Sequence, residues 1–422
     1  MARFTRAEEQ PLSLARNIEF LRQLPRLPGM NGWDGLNHPA PVATRGILVE
    51  TKQFGTNPGD LRMFSYAPAD LPASAALVVV LHGCGQTAAG YDVGAGWSTL
   101  AKHYGFALLM PEQQPGNNAH GCFNWFNPED TKRGHGETCS IRQMTARMVA
   151  DHKIDKRRIF VAGLSAGGAM TSVMLATYPD VFAAGAIIAG LPYGIASNVR
   201  EALSGMLRSP ARSSGELGNL VRNASKHRAP WPKVSVWHGT ADRTVNPANA
   251  HEIVKQWLDV HRLPSHPMSE GVVDGYPHQV WWNTDGETLV ESYSITDMAH
   301  GTPLGKAEND ERYGKEGAFL IEAGISSSHH IANFFGLTAG IHQPENAAKP
   351  ASRTAADSPS AKLIPLASPI SAPAPALNKV LRPLAAAKKP ANPPTEQNAK
   401  QAGGLDVSAV ITRALTAAGL MK

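Results

Sequence analysis

The run Ala76-Leu77-Val78-Val79-Val80-Leu81 is apolar at every position. Side chains along a strand point to opposite faces in turn, so a strand with no polar position must be covered on both sides. That is the situation of a parallel sheet packed between helices, not of a half-wet antiparallel one. The rest of the chain supplies the alternation such a sheet needs. Leu61–Tyr66 reads as a strand before this run. After it, Trp97–His103 reads as helix, Phe106–Met110 as strand, Ile141–His152 as helix and Arg158–Ala162 as strand. Ala166–Tyr178 reads as helix, Phe182–Ala189 and Val234–Trp237 as strands, Ala248–Val260 as helix, Leu289–Ile295 as strand and Ser326–Phe335 as helix. This order predicts an α/β fold, a mostly parallel central sheet with helices on both faces. No short internal repeat is visible.

With 422 residues and 42% hydrophobic content, the chain suits one large domain with appendages, or two modest domains. The expected division is an N-terminal extension over 1–44, with a short helix near Leu12–Gln23, and a catalytic domain over 45–340. A Pro/Ala-rich disordered linker over 341–403 and an amphipathic helix over 404–422 follow. The linker carries 11 of the 32 prolines, from Pro344 to Pro394, and lacks the apolar pattern of a core. In the last segment Val407, Val410, Ile411, Ala414 and Ala418 share a helical face, with Asp406 as a candidate N-cap. Such a helix is marginal alone. It could dock on the core, self-associate or rest on a hydrophobic surface.

Charge narrows the partners. Between His342 and Gly403, eight basic residues stand against three acidic ones, an excess of five that equals the whole formal net charge of +5. The remaining 32 basic and 32 acidic residues cancel, so no nucleic-acid partner is expected for the folded part. No run approaches the ~20 apolar residues of a membrane span. The stretch from Met1 to Gln10 is polar and charged, without the apolar run of roughly 7–15 residues of a secretory signal. Three cysteines, Cys84, Cys122 and Cys139, permit at most one internal disulfide, with three pairings open.

The chemistry is concentrated in Gly163-Leu164-Ser165-Ala166-Gly167. It follows the apolar run Ile159-Phe160-Val161-Ala162 and precedes a helix-forming segment. A strand, a sharp turn of small residues and a helix form a nucleophile elbow, which lifts a serine oxygen above the sheet. The plainer alternative is a serine that only caps a helix. A serine hydroxyl needs a base, and in this fold the order is Ser, then Asp or Glu, then His. Asp242 ends the strand-to-turn run Val234 to Asp242 and is the candidate acid; otherwise it is an Asx-turn residue. His300, just after the strand Leu289–Ile295, is the candidate base. His266, His278, His329 and His330 compete with it but read more simply as surface or packing residues.

Two backbone N–H groups must receive the developing oxyanion. Ala166, next after the nucleophile, is one; Cys84, in the loop Leu81-His82-Gly83-Cys84-Gly85-Gln86, is the other. Otherwise that loop is a tight turn with a buried thiol. Trp125, its neighbour Asn124, and Trp281 beside Trp282 are candidate substrate-groove residues, although such aromatics are more often core. No His/Cys cluster has metal-ligand spacing and no phosphate-cradling glycine loop follows a strand, so neither metal nor cofactor is expected.

Taken together, the segments Leu81–Gln86, Cys122-Phe123-Asn124-Trp125-Phe126, Gly163–Met170 and His238-Gly239-Thr240-Ala241-Asp242 resemble the polyhydroxybutyrate-depolymerase-type esterase family. So do Phe182–Ala186, Gly190–Gly194, Met298-Ala299-His300-Gly301 and the stretch from Ile325 to Ala332. The resemblance runs over roughly residues 45–337. It implies an α/β-hydrolase whose nucleophile falls on Ser165, acid on Asp242, base on His300 and oxyanion donors on Cys84 and Ala166. It implies a serine ester hydrolase acting on short-chain hydroxyalkanoate polyesters or oligomers, with feruloyl or acetylxylan esters as the enzymatic alternative. A non-catalytic granule-binding protein is the alternative of another class. Many members are secreted, so the resemblance points outside the cell, while cytoplasmic residence or another export route stays open. If the Cys84 and Cys122 loops meet above the sheet they could pair, leaving Cys139 over.

Overall fold

A computed structural model describes residues 47–338. The expected N-terminal helix, the linker and the C-terminal helix lie outside the described residues. Chain order begins β1 (Val49–Thr51), β2 (Arg62–Tyr66), β3 (Leu77–Leu81), α1 (Ala88–Ala95), α2 (Trp97–Tyr104) and β4 (Ala107–Glu112). Next come α3 (Pro128–Thr131), α4 (Gly136–His152), β5 (Ile159–Leu164), α5 (Ala166–Thr177) and β6 (Ala184–Ile188). Then follow α6 (Val199–Arg208), α7 (Ser214–Asn223), β7 (Lys233–Gly239), α8 (Ala248–His261), β8 (Ser269–Val273), β9 (Tyr276–Trp282) and β10 (Thr288–Ile295). The described part ends with β11 (Thr302–Leu304), β12 (Leu320–Glu322) and α9 (Ser327–Phe334).

Ten strands form one sheet in the order β1-β2-β4-β3-β5-β6-β7-β10-β9-β8. The six strands from β4 to β10 run parallel, and antiparallel pairs close both edges. β11 and β12 pair separately. The apolar run splits between two cores as its alternation requires. Leu77, Val79 and Leu81 join Ile141, Met144 and Met148 of α4, Val173 of α5 and Trp257 of α8. Ala76, Val78 and Val80 join Trp97 and Leu100 of α2 and Ile331 of α9 on the other face. Fully burying each such large side chain stabilises the fold by roughly 1.5–3 kcal/mol.

Two elements near the middle of the chain carry little sequence signal. α6 buries only Ala202 and Gly205, and α7 only Leu217, Gly218 and Val221. α7 instead begins with a reciprocal cap, in which Glu216 N–H donates to Ser213 Oγ and Ser213 N–H donates to Glu216 Oε2. The β8–β9 hairpin is a further addition at the sheet edge, with Val272 72% exposed. No helix among the described residues is long and apolar enough to cross a membrane.

Candidate active site

β5 ends where the backbone must turn sharply into α5. Ser165 sits in that turn at φ 57° and ψ −117°, a region that costs an L-residue energy. Its N–H donates to Ile188 O at 2.9 Å, and its carbonyl accepts from Ala169 N–H at 2.8 Å. Small neighbours permit the turn. A Cβ on Gly167 would lie 2.2 Å from Leu81 O and 2.5 Å from His82 O, so this helix start presses directly on the end of β3.

The other two side chains come from adjacent parallel strands. β7 and β10 pair in register up to Gly239 and Ile295, so the turns that follow them lie side by side. Thr240 N–H donates to Ile295 O at 2.9 Å and Ala241 N–H to Met298 O at 3.0 Å. A Cβ on Gly239 would meet Met298 O at 2.2 Å, which explains the glycine there. These contacts bring His300 Nδ1 to 2.7 Å from Asp242 Oδ2, and His300 Nε2 to 2.9 Å from Ser165 Oγ. A carboxylate only accepts, so Nδ1 carries the hydrogen and Nε2 is the bare nitrogen facing the serine hydroxyl.

Asp242 is buried and saturated with donors. Its Oδ1 accepts from Thr244 N–H at 2.8 Å and Val245 N–H at 2.9 Å. Its Oδ2 faces both His300 and His238. Burial alone would raise this carboxyl, but the hydrogen bonds from His238 and His300 outweigh it and hold the group well below the ordinary carboxylate range.

The loop after β3 is held from several sides. His82 is fully buried, and Gln113 N–H donates to its Nε2 at 3.1 Å, so Nδ1–H donates to Gly83 O at 2.8 Å. Burial pushes His82 down to about 4, so the ring stays neutral near pH 7. Gly83 N–H donates to Gln86 Oε1 at 2.9 Å, and Gly85 N–H to His120 O at 2.8 Å. Cys84 and Cys122 form a disulfide, with Cα atoms 4.2 Å apart, and Cys139 is free. Among the described residues, neither Cys84 N–H nor Ala166 N–H is engaged by a protein acceptor.

Beyond the disulfide the chain enters the Asn124–Phe126 loop. Asn124 N–H donates to Glu137 Oε2 at 2.9 Å and its amide to Oε1 at 2.8 Å, while its Oδ1 accepts from Asn118 Nδ2 at 3.0 Å. Gln113 Nε2 donates to Glu137 Oε1. The amide proposed for substrate therefore serves largely to fix its own loop. Trp125 is 8% exposed, packs into the core beneath and meets Phe126 edge-on at 5.5 Å.

Trp281 is 2% exposed in the core cluster with Trp257 of α8. It also lines a pocket with Val254 and Leu258 of α8 and Gln279 of β9, whose lining includes none of Ser165, Asp242 and His300. Of the competing histidines, His278 pairs with Glu291, His329 with Tyr104 and His330 with Asp274, while His266 is exposed. Sequence reasoning missed His238, His82, Glu137 and Phe319. Phe319 lies edge-on to His300 at 5.7 Å, half-buried, at φ 61°, an unusual backbone for a bulky side chain. Both histidines stand in His-Gly pairs, a faint signal; Glu137 and Phe319 left none. No group of three or more His, Cys, Asp or Glu among the described residues is arranged to hold a metal ion.

Residues 64–265 match the family model described as Esterase PHB depolymerase. The chain is 46% identical over 291 residues to poly(3-hydroxyalkanoate) depolymerase C of Paucimonas lemoignei, covering 69% of this chain and 70% of that protein. It is 34% identical to an acetylxylan esterase of Coprinopsis cinerea, covering 63% of this chain and 72% of that protein. It is 32% identical to feruloyl esterase B of Neurospora crassa, covering 64% and 93% respectively. The solved acetyl xylan esterase from Aspergillus awamori superposes with a TM-score of 0.58 at 23% identity, over 69% of this chain and all of that one, and so shares the fold. With an α/β sheet of this topology and relatives this similar over two thirds of their length, the chain belongs to the PHB-depolymerase esterase family and is a carboxylic ester hydrolase.

Proposed function

We propose that this protein is a serine esterase that cleaves short-chain hydroxyalkanoate polyesters or oligomers through an acyl-enzyme. The observation that carries this reading is the continuous relay from Ser165 Oγ through both nitrogens of His300 to Asp242, at 2.9 and 2.7 Å. Ser165 Oγ attacks the ester carbonyl while His300 Nε2 takes its proton. The carbonyl oxygen, now negative, is received by the N–H groups of Cys84 and Ala166. Collapse expels the alcohol, which takes the proton from Nε2. Water then attacks the acyl-enzyme by the same route, returning its proton through His300 and releasing the acid. Asp242 stays ionised and holds the imidazole in the tautomer the cycle needs. Each oxyanion donor is worth ~3 kcal/mol of transition-state stabilisation in such sites.

The polyester preference is supported by the 46% identity to the Paucimonas lemoignei depolymerase. The acetylxylan and feruloyl esterases among the relatives supply the second reading. The test is to offer the purified enzyme poly(3-hydroxybutyrate) films, methyl ferulate and acetylated xylan side by side. Film clearing with little turnover of the other two is the expected result; the reverse order assigns the enzyme to plant-polysaccharide esters. The Cys84–Cys122 disulfide favours an oxidising compartment outside the cytoplasm. The Pro-rich basic stretch after residue 341 and the amphipathic pattern of 404–422 suit a tether to a polymer surface.

A further inference from the structure

We propose that His238 is a positioning residue of this site, a second imidazole that grips the Asp242 carboxylate and thereby fixes His300. This rests on the reading of Ser165, His300 and Asp242 as the reacting relay.

His238 is the penultimate residue of β7, and its side chain emerges on the same face as Val234 and Val236. It is 3% exposed. Its Nε2 lies 2.9 Å from Val245 O and 3.1 Å from Asp242 Oδ2. A carbonyl oxygen only accepts, so Nε2 carries the hydrogen and donates it to Val245 O, with Asp242 Oδ2 beside that N–H at 3.1 Å. Its Nδ1 is buried without a partner among the described residues. In this tautomer Nδ1 is a bare nitrogen; a hydrogen there would be a buried donor with nothing to receive it.

The consequence is geometric. Oδ1 of Asp242 accepts from two backbone donors, and Oδ2 accepts from His300 and lies against the His238 imidazole. The carboxylate is thus enclosed by four N–H groups. Without His238, Oδ2 keeps one donor, His300 itself, and the carboxylate can swing about the Oδ1 contacts, taking His300 with it. No hydrogen bond joins His238 to Ser165 among the described residues. His238 therefore acts through Asp242, as partners that orient a catalytic ligand commonly do.

Two substitutions separate this role from space-filling. His238→Leu keeps an apolar body in the cavity and removes the donor; His238→Gln can place an N–H near the Nε2 position. On p-nitrophenyl butyrate, His238→Leu should lower kcat about 10- to 100-fold with KM within about twofold, and His238→Gln should recover most of the loss. If a stably folded His238→Leu keeps wild-type kcat, or if Gln is no better than Leu, the inference is overturned. Should Leu fail to fold, His238→Asn replaces it: the shorter amide does not reach Oδ2, so activity equal to that of Gln is the overturning result. Ser165→Ala runs beside these variants. If it retains turnover, the relay itself is wrong; if it is inactive while His238→Leu matches wild type, only the role of His238 fails.

Discussion

At φ 57° and ψ −117° Ser165 is held out of the helix that it starts, by bonds to Ile188 and Ala169. Changing this residue to alanine removes the proposed nucleophile without touching those backbone bonds. Ser165→Ala should therefore abolish turnover of p-nitrophenyl esters and labelling by a fluorophosphonate probe, with an unchanged circular dichroism spectrum. Gly167 sits at the opposite extreme, because its Cβ position is occupied by backbone oxygens at 2.2 and 2.5 Å. Neither oxygen can rotate away as a side chain would. Gly167→Ala should cost about 1–3 kcal/mol in denaturant unfolding, and it should reduce kcat as well, since the displaced atoms belong to the oxyanion loop. A variant of wild-type stability would show that β3 and α5 do not touch as described.

Between elements, the Cys84–Cys122 bond joins the loop after β3 to the loop before α3 across a separation of 38 residues. Chain-entropy arguments give such a closure at most about 4 kcal/mol. The bond also fixes Cys84, the residue proposed to offer its N–H to the oxyanion. Reduction, or Cys84→Ser, should lower the melting temperature and kcat together, while Cys139→Ser changes neither. Thermal melts and initial rates with and without a reductant check this. Loss of stability with kcat intact would detach the disulfide from the oxyanion site.

For the molecule as a whole, buried titratable groups set the pH dependence of stability. Burial, and then the Asp130 carboxylate, push Glu137 up to about 8 from 4.5. Between those values the folded state holds a proton that the unfolded chain releases, so stability falls as pH rises through the window. Burial pushes His82 and His261 down to about 4 from 6.5. There the unfolded chain binds more protons, so their effect has the opposite sign but ends at pH 6.5. Between 6.5 and 8 the Glu137 effect stands without theirs. Melting temperature should decline across that interval, and Glu137→Gln should flatten the decline; a wild-type curve that rises there would contradict it. At the same scale, removing residues 339–422 should leave soluble-ester turnover intact and weaken retention on polymer particles. Loss of soluble turnover would mean that this segment supports the body itself.

The parts of this protein legible in its sequence are those whose physics is local. An uninterrupted apolar run bounded by turn residues reads as a strand covered on both faces, and a strand running into Gly163-Leu164-Ser165-Ala166-Gly167 reads as a tight elbow, because the residues involved are neighbours in the chain. Asp242 and His300 were accessible through the order of elements in the fold. What the residues do to one another was not. Trp281 and Trp282 read alike, yet as consecutive residues of β9 they face opposite sides of the sheet, and Trp281, paired with Val290 of β10, falls on the side of Trp257 of α8. The pairing of Cys84 with Cys122 likewise joins the loops that follow β3 and β4, neighbours in the sheet, and His300 reaches Asp242 only because β10 pairs with β7. Local sequence sets which elements form; distances between their ends exist only once the sheet has fixed their order.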